Sequence, residues 1–180
     1  MCGIAGFVND MPVDVKCATL KRMTDIIAHR GPDSEGHYID EYAALGHRRL
    51  SIIDLGGGQQ PIYNEDRSMV ITFNGEIYNY QSLREQLIAA GHIFTTESDT
   101  EVLLHGYEQW GVDLLQRIRG MFTFVIWDIN KRELFGARDH FGIKPFYYAK
   151  MNGTFMYASE IKSLLQHPDF DKKLNTAALK

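Results

Sequence analysis

Residues 122–127 read FTFVIW, a run of bulky and almost wholly apolar side chains. A strand with one face in water alternates polar and apolar residues, so this run predicts a strand that is covered on both faces. Such strands occur in sheets that lie between helices, or in two sheets packed together with helices outside them. The run therefore predicts a layered α+β fold.

Other local patterns supply the elements around this strand. Apolar spacing and start and stop residues predict helices over residues 14–28, 81–90, 98–110 and 113–118. Strands are predicted over residues 3–8, 44–54, 69–74, 121–129, 133–139, 145–150 and 154–159. Asp14 is the expected N-cap of the first helix, and Ser98 with Glu101 has the spacing of a capping box. Asn152 and Gly153 predict a tight hairpin between the last two strands.

Composition limits the kind of protein. The chain has 180 residues, of which 44% are hydrophobic and 23% charged, and its net charge is −4. These values fit one globular domain with its own core. The acidic balance makes nucleic acid and anionic membranes poor partners, and no apolar run is long enough to span a bilayer. The first residues lack the layout of a signal peptide, so a cytoplasmic location is expected.

The sequence indicates neither a metal site nor a framework of disulfide bonds. Cys2 and Cys17 are the only cysteines, which excludes a disulfide framework and a cysteine-rich zinc site. The seven histidines are scattered, and none has His-Glu-x-x-His spacing, so no metal site is predicted. Cys17 is expected to be a packed thiol on the first helix.

Cys2 directly follows the initiator methionine. Its small size permits removal of Met1, which would leave Cys2 with both a thiol and a free α-amine. A thiol needs a base to help it attack a carbonyl carbon, and a neutral amine can accept its proton. One residue can therefore supply nucleophile and base, although an incidental cysteine at a frayed terminus would look the same. The small, apolar segment at 3–8 favours the catalytic interpretation, because a strand there would hold Cys2 still.

Eight short segments then occur in a recognisable order. They are MCGIAGF at 1–7, HRGPD at 29–33, HRRLSIIDL at 47–55, QP at 60–61, NGEIYN at 74–79, SDTE at 98–101, GMF at 120–122 and RDHFGIKPFYY at 138–148. Together they resemble the class II glutamine amidotransferase domain, of the kind found at the N-terminus of glutamine-hydrolysing asparagine synthetases. The resemblance covers residues 1–165.

The resemblance implies an N-terminal nucleophile fold, which is a four-layer α/β/β/α sandwich of two antiparallel sheets. It also implies hydrolysis of L-glutamine to glutamate and ammonia through a thioester on Cys2. Residues 166–180 are then expected to begin a linker to a synthetase domain, in the same chain or in a separate subunit. That domain would use ATP and Mg²⁺ to make asparagine from aspartate, whereas no cofactor is expected in the glutaminase domain itself.

Asn74 and Gly75 are the implied oxyanion hole, with one side-chain amide and one backbone N–H as donors to the developing negative charge. The residues alone leave a second interpretation open, because Asn-Gly is a leading signal for a two-residue hairpin turn. The following segment, 76–79, leads into a predicted helix and not into a return strand, which favours the oxyanion hole.

Free glutamine carries a carboxylate and an ammonium group, so its pocket needs charges of both signs. The resemblance implies that Arg49 binds the carboxylate, as a guanidinium can do with two parallel hydrogen bonds. It implies that Asp99 binds the ammonium with Glu76 as a helper, and that backbone groups near Ile52 and Ile53 also contact glutamine. Asp99 has a second explanation, because acidic residues favour the first turn of a helix in any case.

Two further expectations concern the surroundings of this pocket. Arg48 should point away from Arg49, because neighbouring side chains on a strand face opposite sides. The glycines at 56–58 are not a phosphate loop, since no Gly-Lys-Ser or Gly-Lys-Thr follows, and they are a candidate lid over bound glutamine.

Other functions stay open at the level of sequence. A pocket that binds glutamine without turnover would make the chain a scaffold module, and related amidotransferases carry the same front domain with other ammonia acceptors. An N-terminal nucleophile hydrolase that acts on a larger amide is a third alternative, disfavoured because Arg49 and Asp99 suit a free amino acid. Oligomeric state is also open, with a homodimer among the options.

Overall fold

The computed structural model describes residues 1–50 and 58–173, and two antiparallel sheets form its centre. The strands are β1 Gly3–Val8, β2 Ser34–Ile39, β3 Ala43–Arg49, β4 Ile62–Tyr63, β5 Met69–Ile77, β6 Gly120–Asp128, β7 Glu133–Arg138, β8 Tyr147–Met151 and β9 Thr154–Ala158. The helices are α1 Val13–Asp25, α2 Tyr80–Ala89, α3 Asp99–Trp110, α4 Leu114–Arg117 and α5 Ile161–Leu164. Within the described residues, the first sheet has the order β2-β3-β1-β9-β8 and the second β4-β5-β6-β7.

Helices cover the outer face of each sheet. On the first sheet, α1 and α5 pack against β1, β3 and β9, with Leu20 of α1 fully buried in their shared cluster. On the second sheet, α2 and α3 bury a cluster that includes Leu103. A third cluster lies between the sheets and joins Ile4 of β1 to Val125 of β6. These clusters confirm the predicted four-layer α/β/β/α sandwich.

Strand β6 is covered on both faces, as its sequence predicts. Phe122, Phe124 and Ile126 belong to the cluster beneath α2 and α3. Val125 and Trp127 belong to the cluster between the sheets. All five are at most 4% exposed, so the unbroken apolar run reflects burial from two sides.

Strand β1 lies in the middle of the first sheet, where it pairs with β3 and β9. Its side chains alternate, with Ala5 and Phe7 facing the outer helices and Ile4 facing the second sheet. The predicted bounds of this strand are confirmed. Its central position fixes the segment that begins with Cys2.

The hairpin interpretation of Asn74 and Gly75 is wrong. Strand β5 runs straight through both residues, with Asn74 opposite Thr123 and Gly75 opposite Phe122. A Cβ on Gly75 would lie 2.3 Å from the carbonyl oxygen of Met121, so glycine allows the two backbones to approach closely here. The predicted hairpin at Asn152 and Gly153 does form, between β8 and β9, and both residues have positive φ.

Two expectations for α1 are also wrong. Asp14 is not the N-cap, because the helix begins after Pro12 and Asp14 lies in its first turn. Cys17 is exposed and not packed, since the buried face of α1 is formed by Lys16, Thr19, Leu20, Met23 and Thr24. The Ser98 cap of α3 is confirmed, because its side-chain oxygen accepts a hydrogen bond from the Glu101 N–H.

The chain stays packed on the sandwich after α5. His167 is 1% exposed and makes an edge contact with the Phe7 ring, at 4.5 Å between ring centroids. Phe170 packs against the same cluster as α1 and α5. In the part of the chain that the structure describes, no helix is long and apolar enough to cross a membrane.

His47 of β3 links the two sheets. It is 1% exposed, and its Nε2 lies 3.0 Å from the carbonyl oxygen of Phe73 on β5, which can only accept a hydrogen bond. Burial lowers the pKa of His47 to about 4, and the charge of Arg49 acts in the same direction. The neutral imidazole is therefore the form that fits between the sheets.

Acid is expected to destabilise the protein through His47. In the unfolded chain His47 is protonated near its ordinary pKa of 6.5, whereas the folded protein resists protonation down to about pH 4. The unfolded state thus binds more protons in this window, and the free energy of unfolding falls as the pH drops, by roughly 3 kcal/mol over the whole range.

Urea unfolding near pH 7 and near pH 4.5 tests this expectation. The His47→Gln variant keeps an N–H donor for Phe73 but does not titrate, so it should lose less stability in acid than the wild type does. His140→Gln changes an exposed histidine and should behave like the wild type. An equal acid loss in all three proteins would contradict the assignment.

Candidate active site

Cys2 lies at the head of β1, half-buried beside the end of β3. Its sulfur receives a hydrogen bond from the Leu50 N–H at 3.4 Å, and the Leu50 carbonyl lies 3.8 Å away, where it can accept from the thiol. Gly3 pairs with Arg48 in the first sheet, so the backbone next to Cys2 is held by strand hydrogen bonds. The thiol is therefore positioned by backbone groups on both sides.

Arg30 fixes the main chain of Cys2 from the other direction. Its Nε donates to the Cys2 carbonyl oxygen at 3.0 Å, and its Nη1 donates to Glu160 at 3.1 Å. Glu160 also bonds His29 and Lys162, and these partners hold the pKa of its carboxyl down to about 2 despite burial. Arg30 lies within the HRGPD segment, but no sequence pattern predicts this role for it.

Met1 precedes Cys2 in the structure, and Lys144 Nζ lies 3.4 Å from its sulfur. The nitrogen of Cys2 is then part of a peptide bond and cannot act as a base. Met1 is 55% exposed, so an enzyme that removes N-terminal methionine can reach it. Its removal would give Cys2 the free amine that the nucleophile needs.

Side-chain alternation brings three of the predicted residues to the space between the sheets. On β3, His47 faces inward and contacts β5, so Arg49, two residues on, shares that face. On β5, Val70 faces inward, and Asn74 shares its face. On the first sheet, Ile4 faces inward, and Cys2 has the same parity. The bond from His47 to Phe73 shows that these strand ends lie at the same end of the sandwich.

Arg49 also reaches toward the start of α3. A Cβ placed on Gly58 would lie 3.7 Å from Nη2 of Arg49 and 3.9 Å from Cβ of Ser98. Arg48 points the other way, as expected, because its guanidinium bonds the Thr24 carbonyl oxygen on α1. Gly58 therefore lies close to both the guanidinium of Arg49 and the N-cap residue of α3.

Asp99 is the first residue of α3 and faces the end of β5. Its Oδ2 accepts a hydrogen bond from the Ile77 N–H at 2.9 Å. Burial raises the pKa of Asp99 above its ordinary value, and the neighbouring carboxylate of Glu76 adds to the effect. A cation bound beside Asp99 would relieve both influences, because an opposite charge favours the ionised carboxylate.

Asn74 carries a buried side-chain amide that no other described residue binds. The residue is 2% exposed, and its Nδ2 has no hydrogen-bond partner among the described residues. Leaving a buried donor unpaired costs about 1–3 kcal/mol, so such groups are rare without a functional reason. The predicted oxyanion donor is thus a buried N–H group that is available to an acceptor.

Gln60 is a second residue whose role no sequence pattern predicts. Strand β4 begins only at Ile62, which lies opposite Ile71, so within the described residues this edge of β5 has no partner strand at Phe73. Gln60 fills this gap, because its Oε1 accepts from the Phe73 N–H at 2.6 Å and its Nε2 donates to the Phe73 carbonyl oxygen at 3.1 Å. The amide fixes the strand immediately before Asn74.

Three predictions lie outside the described residues. They are the backbone contacts at Ile52 and Ile53 and the glycine lid, of which only Gly58 is described, with φ +73°. Side-chain parity places Cys2, Arg49 and Asn74 toward the space between the sheets, and Asp99 lies next to Glu76 at the end of β5.

Comparison with known proteins agrees with this architecture. The glutamine phosphoribosylpyrophosphate amidotransferase from B. subtilis, solved in complex with ADP and GMP, has a similar fold, with a TM-score of 0.75 and 22% identity. The match covers 91% of this chain and 43% of that one. The fold is thus the layered sandwich of that class of enzymes. A family model described as "Glutamine amidotransferase domain" matches residues 1–180, and the chain belongs to this family.

Three curated proteins show higher sequence identity to this chain. Asparagine synthetase [glutamine-hydrolyzing] 1 of Bacillus subtilis (strain 168) is 49% identical over 168 residues, which cover 92% of this chain and 27% of that protein. Asparagine synthetase [glutamine-hydrolyzing] 2 of the same organism is 47% identical over 178 residues, with 97% and 24% covered. The corresponding enzyme of Zea mays is 40% identical over 168 residues, with 91% and 28% covered. The chain therefore spans about a quarter of the length of these curated relatives.

Proposed function

We propose that this domain hydrolyses L-glutamine to glutamate and ammonia, with Cys2 as the nucleophile. The observation that carries the proposal is the position of Cys2 at the head of a central strand. At the same end of the sandwich lies a buried amide N–H of Asn74 that has no partner among the described residues. A fixed nucleophile and a donor for the developing oxyanion are the two requirements of acyl transfer.

In the proposed reaction, removal of Met1 comes first. The freed amine of Cys2 takes the proton of the thiol, and the sulfur attacks the side-chain carbonyl carbon of glutamine. Asn74 Nδ2 and the Gly75 N–H donate to the oxygen that gains negative charge. The C–N bond then breaks, ammonia leaves with the proton from the amine, and a thioester stays on Cys2. Water hydrolyses the thioester and restores the thiol.

The charges around the site suit a free amino acid. Arg49 supplies a cation for the α-carboxylate, and Asp99 with Glu76 supplies negative charge for the α-ammonium. Gly58 is close to Arg49 and to Ser98, the residue before Asp99, and this proximity supports one small zwitterion as the substrate. A protein or peptide amide would carry neither charge, which argues against the larger-amide alternative.

The acceptor of the ammonia is proposed from the relatives. Their names describe glutamine-hydrolysing asparagine synthetases, and this chain matches about a quarter of their length. We therefore propose that the domain supplies ammonia to a synthetase domain in the same polypeptide, which uses ATP and Mg²⁺ to make asparagine from aspartate. A cytoplasmic location belongs to the same proposal.

Kinetics of glutamate release test the proposed substrate. Asp99→Asn removes the negative charge but keeps an oxygen for the Ile77 N–H, so the KM for glutamine should rise about 10- to 100-fold, the worth of a charged hydrogen bond. Glu97→Gln changes an exposed carboxylate two residues earlier and should leave KM unchanged. Glutamine with an acetylated α-amine should be a poor substrate of the wild type.

Two results would overturn the proposal. Absence of glutamate release from the processed wild-type protein would favour a scaffold module that binds glutamine without turnover. Faster turnover of acetylated glutamine than of glutamine would favour a hydrolase of larger amides.

A further inference from the structure

A cluster of histidines and carboxylates lies away from the candidate active site, where three segments meet. Glu65 is in the turn before β5, His92 follows α2, and His105 is in the middle of α3. One ligand atom from each of these residues lies within 4.8 Å of the others. No sequence motif indicates this cluster, because its members are 27 and 13 positions apart.

Glu108 adds a fourth ligand atom. Its Oε2 is 2.8 Å from Nδ1 of His105 and 3.8 Å from Nδ1 of His92. Oε2 of Glu65 is 3.7 Å from the same Nδ1 of His105. Zinc bonds of about 2.0–2.2 Å in a tetrahedron place neighbouring ligand atoms about 3.3–3.6 Å apart. Small side-chain shifts would therefore bring the four atoms to zinc geometry.

The outer ring nitrogen of His92 supports metal binding. Nε2 of His92 lies 3.1 Å from Oε1 of Gln109, and Nε2 of His105 faces Oε1 of Glu101 at 3.6 Å. Histidine ligands to metals characteristically donate their other ring N–H to an oxygen, which leaves a lone pair on the nitrogen that binds the metal. His92 has this arrangement, whereas Nε2 of His105 has no hydrogen-bond partner among the described residues. Nδ1 of each ring faces the carboxylate of Glu108.

The carboxylates are held in the same way. The other oxygen of Glu65 accepts from the Ile93 N–H at 3.0 Å, and the other oxygen of Glu108 accepts from Asn64 Nδ2 at 2.7 Å. Each carboxylate is thus oriented by one oxygen while its second oxygen faces the cluster. An ordinary surface ion pair needs no such support.

We infer that Glu65, His92, His105 and Glu108 form a structural zinc site. Two imidazole nitrogens and two carboxylate oxygens suit Zn²⁺, and four protein ligands leave no open position for catalysis. Zinc would replace the proton that His105 shares with Glu108 and release it to solvent. The metal would tie α3, whose first residue is Asp99, to the end of α2 and to the turn before β5.

The test is zinc titration of the purified chain in a Cys2→Ser, Cys17→Ser background, which removes thiols as competing ligands. Native mass spectrometry should show one zinc ion per chain, and Co²⁺ in its place should give the intense visible bands of a tetrahedral site. Zinc should also raise the midpoint of thermal unfolding.

Variants of the more accessible ligands decide the assignment, because a change at the fully buried His105 could prevent folding. His92→Gln and Glu65→Gln should each lower zinc affinity at least about tenfold and abolish the thermal shift. His140→Gln and Glu85→Gln are matched controls at exposed positions and should bind zinc like the parent. Failure of the parent to bind zinc, or equal affinity in all four variants, would overturn the inference.

Discussion

Replacing Cys2 with alanine is expected to lower kcat for glutamate release by roughly 10⁴-fold or more, since the proposed reaction has no second nucleophile. The fold should survive, because the described contacts of the Cys2 side chain are limited to two backbone groups of Leu50. Circular dichroism and the urea midpoint of the variant should therefore match the wild type.

The matched control is Cys17→Ser. This cysteine is exposed on α1, on the opposite side of the first sheet from the site, and its loss should leave kcat unchanged. A glutamine analogue with an electrophilic side chain should add its mass to the N-terminal peptide of the wild type and of the control only. Retention of Met1 should abolish both labelling and turnover, and full activity in either Cys2→Ala or the Met1-retaining protein would refute the mechanism.

Replacing Asn74 with alanine is expected to lower kcat by about 10²–10³-fold, the effect of removing one oxyanion donor. KM should change little, because the donor acts on charge that develops only during the reaction. The free energy of unfolding should fall by no more than about 1 kcal/mol, since relief of the unpaired amide offsets the lost packing. The Asn74→Ala variant should therefore lose most of its activity and keep most of its stability.

Thr123 provides the control for Asn74. It lies directly opposite on β6, is fully buried, and its Oγ1 also has no hydrogen-bond partner among the described residues. Thr123→Val removes that hydroxyl at nearly constant volume and should leave kcat within about twofold of the wild type. Unchanged kcat in Asn74→Ala, or an equal loss in Thr123→Val, would remove Asn74 from the oxyanion hole.

Much of the fold could be predicted because buried segments have recognisable patterns of apolar residues. Strand β1 has the predicted bounds, and the apolar run in β6 predicts a strand that is covered on both faces, as it is in the structure. Strand β2 was missed because its sequence SEGHYI is mostly polar and only half-buried at the edge of the first sheet. Strand β4 was missed because two residues carry no periodicity.

The candidate active-site residues were predictable only with help from the family resemblance. The residue types of Asn74 and Gly75 alone are typical of a turn. Only the long-range pairing with β6 keeps them in a strand. Arg30 and Gln60 act on backbone atoms of distant residues, Cys2 and Phe73, so nothing in their own neighbourhood reveals their partners. The histidine cluster could not be predicted either, because its residues come from three segments that lie together only in the folded chain.

The candidate nucleophile and its oxyanion donor belong to different sheets. Cys2 and Arg49 are carried by the first sheet, whereas Asn74 is carried by the second, and the layer between them contains His47. A slip of one sheet against the other by about 1 Å would leave every strand intact yet misplace the reacting atoms, at a cost of about 10²-fold in rate. The rate of turnover should therefore respond to small displacements in the layer between the sheets that leave the temperature of unfolding unchanged. Residues of this layer that do not contact glutamine should then also affect the rate.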